Sequence, residues 1–263
     1  MSKNFLQTGL SAAVKAGEIV KSYYGKDLDV AFKRSKEDLV TEADFEVEKK
    51  IKEIIQHNFP EHFILGEETN ITAGKSDYVW IIDPIDGTSN FVKKIPYFAI
   101  SIGLLKGAKP ILGIVYNPIT NELYSAFEGV AYFNGKKISA NSKADLKDSV
   151  IFVSENHDKP LKDELKSLIS KINTKVEFKS TALALCQTAA GVSDAFFKLS
   201  TKSWDVIAGH YIAECAGCKV TDTLGNNLEY DYKIERNPKG ILVANPKLHK
   251  ELLKILRTQR TIP

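Results

Sequence analysis

The stretch Tyr78 to Phe91, YVWIIDPIDGTSNF, constrains this chain more than any other. Tyr78 to Ile82 is aromatic and β-branched, the composition of a strand buried on both faces. Asp83 ends that run. Pro84 then removes an amide donor and restricts the residue before it, so the ladder is expected to stop there. Asp83 and Asp86 flank the resulting turn, followed by Gly87, Thr88, Ser89 and Asn90. Neighbouring buried anions are costly unless something positive compensates them. Hard divalent cations take oxygen ligands, and a turn can aim two carboxylates three apart at one cluster. Gly87 permits close backbone approach, and Thr88 or Ser89 can start a short helix whose free N–H groups hold a phosphate. Two readings stand on these residues: a metal site beside an anion site, or a strand-end turn with solvated aspartates.

The rest of the chain supplies candidate partners for that turn. Phe5 to Tyr24 repeats apolar residues at helical spacing (Leu6, Leu10, Ala13, Val14, Ala16, Val20) until Gly25. Lys26 to Leu39 reads as a loop or irregular ribbon. Thr41 followed by Asp44 is a capping-box pattern, ahead of a stripe of Val47, Ile51, Ile54 and Ile55 running to Pro60. Asp44 is therefore either that cap or an acid one turn inside a helix facing a cluster, with Thr41 sharing it. Phe63 to Gly66 is a short strand that delivers Glu67 and Glu68 at its end. Strands at Ala99–Lys106, Pro110–Tyr116, Glu122–Phe127 and Val130–Phe133, with turns between them, form an antiparallel meander. Such a run argues for helices covering a large mixed or antiparallel sheet and against a repeated βαβ fold.

Ala140 to Lys147 turns polar and marks a boundary, giving an N-terminal α+β half (1–145) and a C-terminal α/β half (146–263). The second half alternates: strands at Val150–Ser154, Lys175–Phe178, Asp194–Leu199, Lys219–Asp222 and Gly240–Ala244. Helices are expected at Lys159–Ile172, Thr181–Gly191, Asp205–Gly217 and Pro246–Leu256. Asp205 opens the third of these, as an N-cap or first-turn acid beside Trp204. Glu67, Asp83, Asp86 and Asp205 each sit where a strand ends or a helix begins, next to strongly apolar segments.

Composition bounds the partners. With 36 basic and 33 acidic side chains among 263 residues, the charge is too balanced to indicate nucleic acid. No apolar run approaches the roughly 18 residues of a membrane span, and Met1 to Gly9 lacks a signal peptide's layout. A cytoplasmic protein is expected. Three cysteines argue against a disulfide framework, and Cys215-x-x-Cys218 at a helix end reads as buried small residues.

Taken together, Trp80-Ile81-Ile82-Asp83-Pro84-Ile85-Asp86-Gly87-Thr88-Ser89-Asn90-Phe91 resembles the first signature of the inositol monophosphatase family. Trp204-Asp205 with Ala208-Gly209 resembles the second, Gly66-Glu67-Glu68 an upstream metal-binding element, and Asp44 the acid of the family's second helix. The resemblance implies an α+β fold, a layered α/β/α/β/α sandwich, usually dimeric, that hydrolyses small phosphate monoesters with two or three Mg²⁺ and is often inhibited by Li⁺. Carried across, Glu67, Asp83 and the Ile85 carbonyl would hold one ion, and Asp83, Asp86 and Asp205 a second. Glu67, Asp44 and Thr88 would join a third ion or waters. The implied catalytic set is Glu67, Thr88, Asp44 and Thr41. The substrate side comprises Asp86, Gly87, Thr88, Ser89, Ser180, Lys198 and Asp205, with the Gly87 and Thr88 amides on phosphate.

One position departs from the inositol-specific pattern. Seven residues before Asp205, where those enzymes resemble one another in an acid, this chain has Lys198. A lysine only donates hydrogen bonds and attracts a further anion; it also stands exposed in most proteins. Lys109 to Tyr116, Ala208-Gly209-His210 and Asn237 to Gly240 are similar to the 3'-phosphoadenosine 5'-phosphate nucleotidase branch. Thr88 to Phe91 followed by Pro96 is similar to the inositol type.

Overall fold

The protein is described here from a computed structural model covering residues 2–33, 39–69, 71–72, 74–142, 145–154, 174–230 and 240–258. Helix α1 (Ser2–Tyr23) and α2 (Glu42–Asn58) flank a two-stranded antiparallel ribbon, β1 (Val30–Phe32) and β2 (Leu39–Thr41). A seven-stranded sheet follows: β3 (Phe63–Gly66), β4 (Tyr78–Asp86), β5 (Ala99–Lys106), β6 (Lys109–Asn117), β7 (Glu122–Phe127), β8 (Val130–Phe133) and β9 (Lys136–Lys137), in that order across the sheet. A short helix α3 (Thr88–Val92) interrupts it after β4. The later strands β10 (Val150–Ser154), β11 (Thr174–Glu177), β12 (Ala195–Lys198), β13 (Lys219–Thr221) and β14 (Ile241–Ala244) form a second, mixed sheet ordered β11-β10-β12-β14-β13. Helices α4 (Thr181–Ala189), α5 (Ser203–Cys215) and α6 (Pro246–Thr258) complete the described elements. The helix expected over Lys159–Ile172 lies outside the described residues.

Three cores show how the layers stack. Trp80, Ile82, Ile100, Ile102, Ile114 and Tyr116 pack on α1 and α2. The opposite face of that sheet (Val79, Ile81, Val115, Tyr124) meets α4, α5 and the inner residues Phe152, Phe196 and Val243 of the second sheet. Ile151, Phe197 and Leu242 face outward onto Leu248, Leu252 and Leu256 of α6. Period-two alternation thus divides each sheet between two helical layers, and the architecture is the expected α/β/α/β/α sandwich of mixed α+β class. Two sheets, rather than one large one, make it. Val14, placed by spacing in the α1 stripe, is substantially exposed, and Ile54 is only partly buried.

The strand expected to stop at Asp83 does not. Asp83 pairs with Ser101 and Asp86 with Ala99, so three steps on β4 match two on β5. This is a bulge, the means by which a sheet tolerates a proline donor gap and an extra residue. The bulge has a chemical effect. In a regular strand residues three apart face opposite ways; the extra residue turns Asp83 and Asp86 to the same side.

A second local feature sets α5. Gly103 and Gly113 are cross-strand partners on β5 and β6. A Cβ on Gly113 would lie 2.3 Å from the Ala208 carbonyl oxygen, and one on Gly103 would lie 2.4 Å from Ile207 Cγ2. The paired glycines form a flat patch on which α5 lies at backbone distance. Its C-terminus closes with Gly217 in the left-handed region, where the Cys218 amide donates to the Ala213 carbonyl; all three cysteines are free.

Candidate active site

Four segments deliver the acidic residues to one place, the start of α2, the end of β3, the bulge of β4 and the start of α5, and the start of α4 supplies donors to them. Asp44 is the capping acid that the Thr41 pattern predicts. Its Oδ2 accepts from the Thr41 amide (2.8 Å) and hydroxyl (2.7 Å). Its Oδ1 accepts from the Thr88 hydroxyl at 3.3 Å, which also lies 3.0 Å from the Ile85 carbonyl. Asp44 therefore fills the cap with one carboxylate oxygen and reaches Thr88 with the other.

Asp86 is buried on the first turn of α4. Ser180 Oγ donates to Oδ2 (2.6 Å), the Ala182 amide to Oδ2 (2.7 Å) and the Thr181 amide to Oδ1 (3.2 Å). The first N–H groups of a helix have no intrahelical acceptor, and here a distant carboxylate takes them. Ser180 is fully buried and its hydroxyl is committed to Asp86, so it holds an acid of the cluster. Asp83 is also buried, with the Ile85 amide on Oδ1 at 3.0 Å. Asp205 lies in the first turn of α5, accepting from the Lys202 amide (3.4 Å); the Trp204 carbonyl beside it receives Ser101 Oγ at 3.3 Å.

The cluster is electrostatically strained. Burial, then Asp205 and Glu68 against the attraction of Lys33, push Glu67 up to about 7. Burial and Asp205 raise Asp86 to about 7 despite the Ser180 and Ala182 donors. Asp83 goes well above the usual carboxylate range through burial, Glu67, Asp86 and Asp205. Burial also raises Asp44 and, to about 7, Glu68. Two lysines answer part of this charge. Lys33, at the end of the β1 strand, stands 2.8 Å from Glu67 Oε1 and 2.5 Å from Glu68 Oε1. Burial alone would lower its pKa, and the two glutamates hold it above the ordinary lysine range. Lys198 reaches inward: its ammonium donates to Thr181 Oγ1 (2.8 Å) and pairs with Asp205 Oδ2 (3.3 Å). The reading of Lys198 as a solvated strand-end lysine is thereby corrected.

A surplus of buried anionic oxygen donors, with no sulfur or imidazole among them, is the chemistry that suits Mg²⁺. As the side chains stand, no three His, Cys, Asp or Glu among the described residues close into a ligand cage. Lys33 and Lys198 supply the cationic contacts of the cluster. Gly87 has φ of +99°, and a Cβ there would meet the Lys179 carbonyl at 2.7 Å. Only glycine fits that close approach. Thr88 and Ser89 follow in the first turn of α3.

Sequence reasoning missed Glu48 and Lys33. Glu48, one turn after Asp44 on α2, is fully buried; its Oε2 accepts from the Glu68 amide (2.9 Å), and its Oε1 takes the Thr69 hydroxyl and Lys52 (3.0 Å). It ties down the loop that carries Glu67. Gly66 packs so closely on it that an added Cβ would lie 2.2 Å from the Glu48 carboxylate, a contact between segments that sequence spacing does not show.

The sequence model of the inositol monophosphatase family matches residues 1–261. The chain belongs to that family. It is 36% identical to "Inositol monophosphatase 3" of Solanum lycopersicum over 97% of each chain. It is likewise 36% identical to "Nus factor SuhB" of Vibrio cholerae, over 96% of this chain and 95% of that one. Among solved structures, the extragenic suppressor protein SuhB of Bartonella henselae superposes with a TM-score of 0.88 at 31% identity, covering 97% of this chain and 98% of that one. Among the described residues no helix is long and apolar enough to cross a membrane.

Proposed function

We propose that this chain of the inositol monophosphatase family hydrolyses a small phosphate monoester in an Mg²⁺-dependent reaction, with inositol 1-phosphate-type esters as first substrates. The single observation that carries the reading is the mutually repelling group of buried Asp83 and Asp86 with half-buried Glu67 and Asp205, gathered at the β4 bulge and the starts of α4 and α5. Glu67, Asp83 and the Ile85 carbonyl would hold one ion, and Asp83, Asp86 and Asp205 another. Asp44, Glu67 and Thr88 would join a third or waters. Bound ions supply a lowered pKa for an attacking water and neutralise the leaving oxygen.

The chain's own residues supply orientation and proton transfer. Thr41 saturates Asp44 Oδ2, which leaves Oδ1 to fix the Thr88 hydroxyl. The single Thr88 proton goes to Asp44 Oδ1 or to the nearer Ile85 carbonyl at 3.0 Å, and in either case a lone pair is left to accept from the attacking water. Glu67 is placed as the acceptor of the water's proton. The Gly87 and Thr88 amides, leading into α3, would donate to the phosphoryl oxygens, whose charge persists throughout. No covalent phospho-enzyme is needed. Li⁺ sensitivity and a homodimer belong to the same reading.

A second substrate class has one observation behind it. The inward Lys198 ammonium favours an ester bearing another anion, such as 3'-phosphoadenosine 5'-phosphate or a sugar bisphosphate. The near-balanced charge does not favour nucleic acid as a partner. The test is phosphate release from inositol 1-phosphate, 3'-phosphoadenosine 5'-phosphate, fructose 1,6-bisphosphate and NADP, with and without Mg²⁺, for wild type and Asp83→Asn. Mg²⁺-dependent release is expected, lost by orders of magnitude in the folded variant. Turnover by D83N at the wild-type rate in saturating Mg²⁺ would refute the assignment.

A further inference from the structure

Asp83 lies on β4 and Asp205 on α5, so no local backbone rule fixes the distance between them. A small residue bridges the two elements. Ser101 on β5 is the cross-strand partner of Asp83, and partners in register point to the same face of a sheet. It is 1% exposed, so its hydroxyl must find a partner inside the protein. The Asp83 carboxylate is the stronger class of acceptor and stands beside it in register. The hydroxyl donates instead to the Trp204 carbonyl at 3.3 Å. Trp204 is the residue before Asp205, in the first turn of α5. Two residues further along the same face of β5, Gly103 lies under Ile207 and Ala208 of that helix. The glycine lets α5 come close but has no group to stop it sliding or turning. The serine adds a directional contact at the end of the helix that carries Asp205.

We propose that Ser101 is a positioning residue: by holding the Trp204 carbonyl it keeps the first turn of α5, and with it Asp205, at a set distance from Asp83. The inference rests on the phosphatase reading, which makes both acids ligands, and goes beyond it by giving a role to a residue outside the ligand set. Without the hydroxyl the Trp204 carbonyl keeps the intrahelical acceptor role of any helix residue, so the fold loses little. The first turn, however, is freed to shift on the glycine patch. An ion shared by the two carboxylates must then order them at its own expense, which is a loss of preorganisation.

The test measures thermal unfolding of the full chain, metal-stripped and at one fixed Mg²⁺ concentration, for wild type, Ser101→Ala and Ser149→Ala. Ser149 is equally buried and donates to the Asp145 carbonyl at 2.6 Å. It precedes β10 at the end away from Ser154, the partner of Lys198, and so controls for the loss of a buried hydroxyl elsewhere. The rise in Tm on adding Mg²⁺ reports ion binding. In S101A the rise is expected to shrink as if Mg²⁺ bound about three- to tenfold more weakly, the scale of one neutral hydrogen bond. Its ion-free Tm should stay close to that of wild type. S149A should lower the ion-free Tm and keep the rise. In phosphate release, S101A should lower kcat and leave KM for the ester unchanged. Ser101→Cys, with a weaker donor, replaces S101A if circular dichroism shows the alanine variant unfolded. A fall in ion-free Tm with the full rise retained would make Ser101 a packing residue and overturn the inference. A change confined to KM, which would give Ser101 to the substrate, overturns it as well. If wild type shows neither a rise nor Mg²⁺-dependent release, the phosphatase reading fails and the inference fails with it. If wild type shows both and S101A matches it, the inference fails alone.

Discussion

Gly113→Ala is the sharpest test of how this fold holds its site. The added methyl would lie 2.3 Å from the Ala208 carbonyl oxygen, a backbone atom of α5, whereas ordinary contact begins at 3.4 Å. No rotamer relieves that clash, so α5 must lift off the β5–β6 patch by about 1 Å, at a cost of about 1–3 kcal/mol typical of overpacking. For a chain of this size that is a fall in Tm of about 3–10 °C. Asp205, three residues before Ala208, rides on the same helix and moves away from Asp83 and Asp86. A misplacement of about 1 Å at a reacting centre can cost about a hundredfold in rate. Gly103→Ala supplies the comparison, because its nearest contact would be a side-chain atom, Ile207 Cγ2, and not a carbonyl of the α5 backbone. Differential scanning fluorimetry and Mg²⁺-dependent phosphate release should rank wild type above G103A and G103A above G113A. A G113A protein with wild-type Tm and turnover, or a G103A protein more damaged than G113A, would refute the close-packing argument.

Two further expectations follow from the same geometry. Glu67, Glu68, Asp83 and Asp86 all have folded pKa values raised above their unfolded ones. The folded ion-free protein therefore holds more protons than the unfolded chain between about pH 4.5 and 7. That stability is fully present below the unfolded values and is lost as pH rises through about 7. Ions that offset the charge should widen the Tm difference between Mg²⁺ and EDTA from pH 5 to pH 7.5; a constant or shrinking difference would count against the cluster. Gly66→Ala drives a methyl into the buried Glu48 carboxylate. It should cost about 1–3 kcal/mol by overpacking and raise the Mg²⁺ concentration needed for half-maximal activity, whereas wild-type behaviour in both assays would remove Glu48 from the support of Glu67.

The elements were legible in the sequence because their signals are local. Alternation placed β5, β7 and β8 within a residue of their bounds, and the Thr41–Asp44 spacing located the start of α2. Glycine and proline marked the turns. Where a local rule failed, a neighbouring strand overruled it. Pro84 forbids one hydrogen bond, yet β5 resumes pairing at Ala99 and converts the break into a bulge. Val14 fits the helical stripe of α1 by spacing, yet it stands 43% exposed.

The chemistry divides along the same line. By itself the sequence determined the inventory: acids at strand ends and helix starts, a glycine after Asp86, and a chain that matches one family along nearly its whole length. It also showed a lysine where an acid is usual. Residue types and spacings along one segment carry that much, since backbone rules act over a few residues. Tertiary structure decided which groups meet. Lys33 and Glu67 are 34 residues apart and Ser180 and Asp86 94 apart, so only packing of separate layers brings them together. It also turned Lys198 inward, because the register of β12 between β10 and β14, and not the residue's own preference for water, fixes the side to which it points.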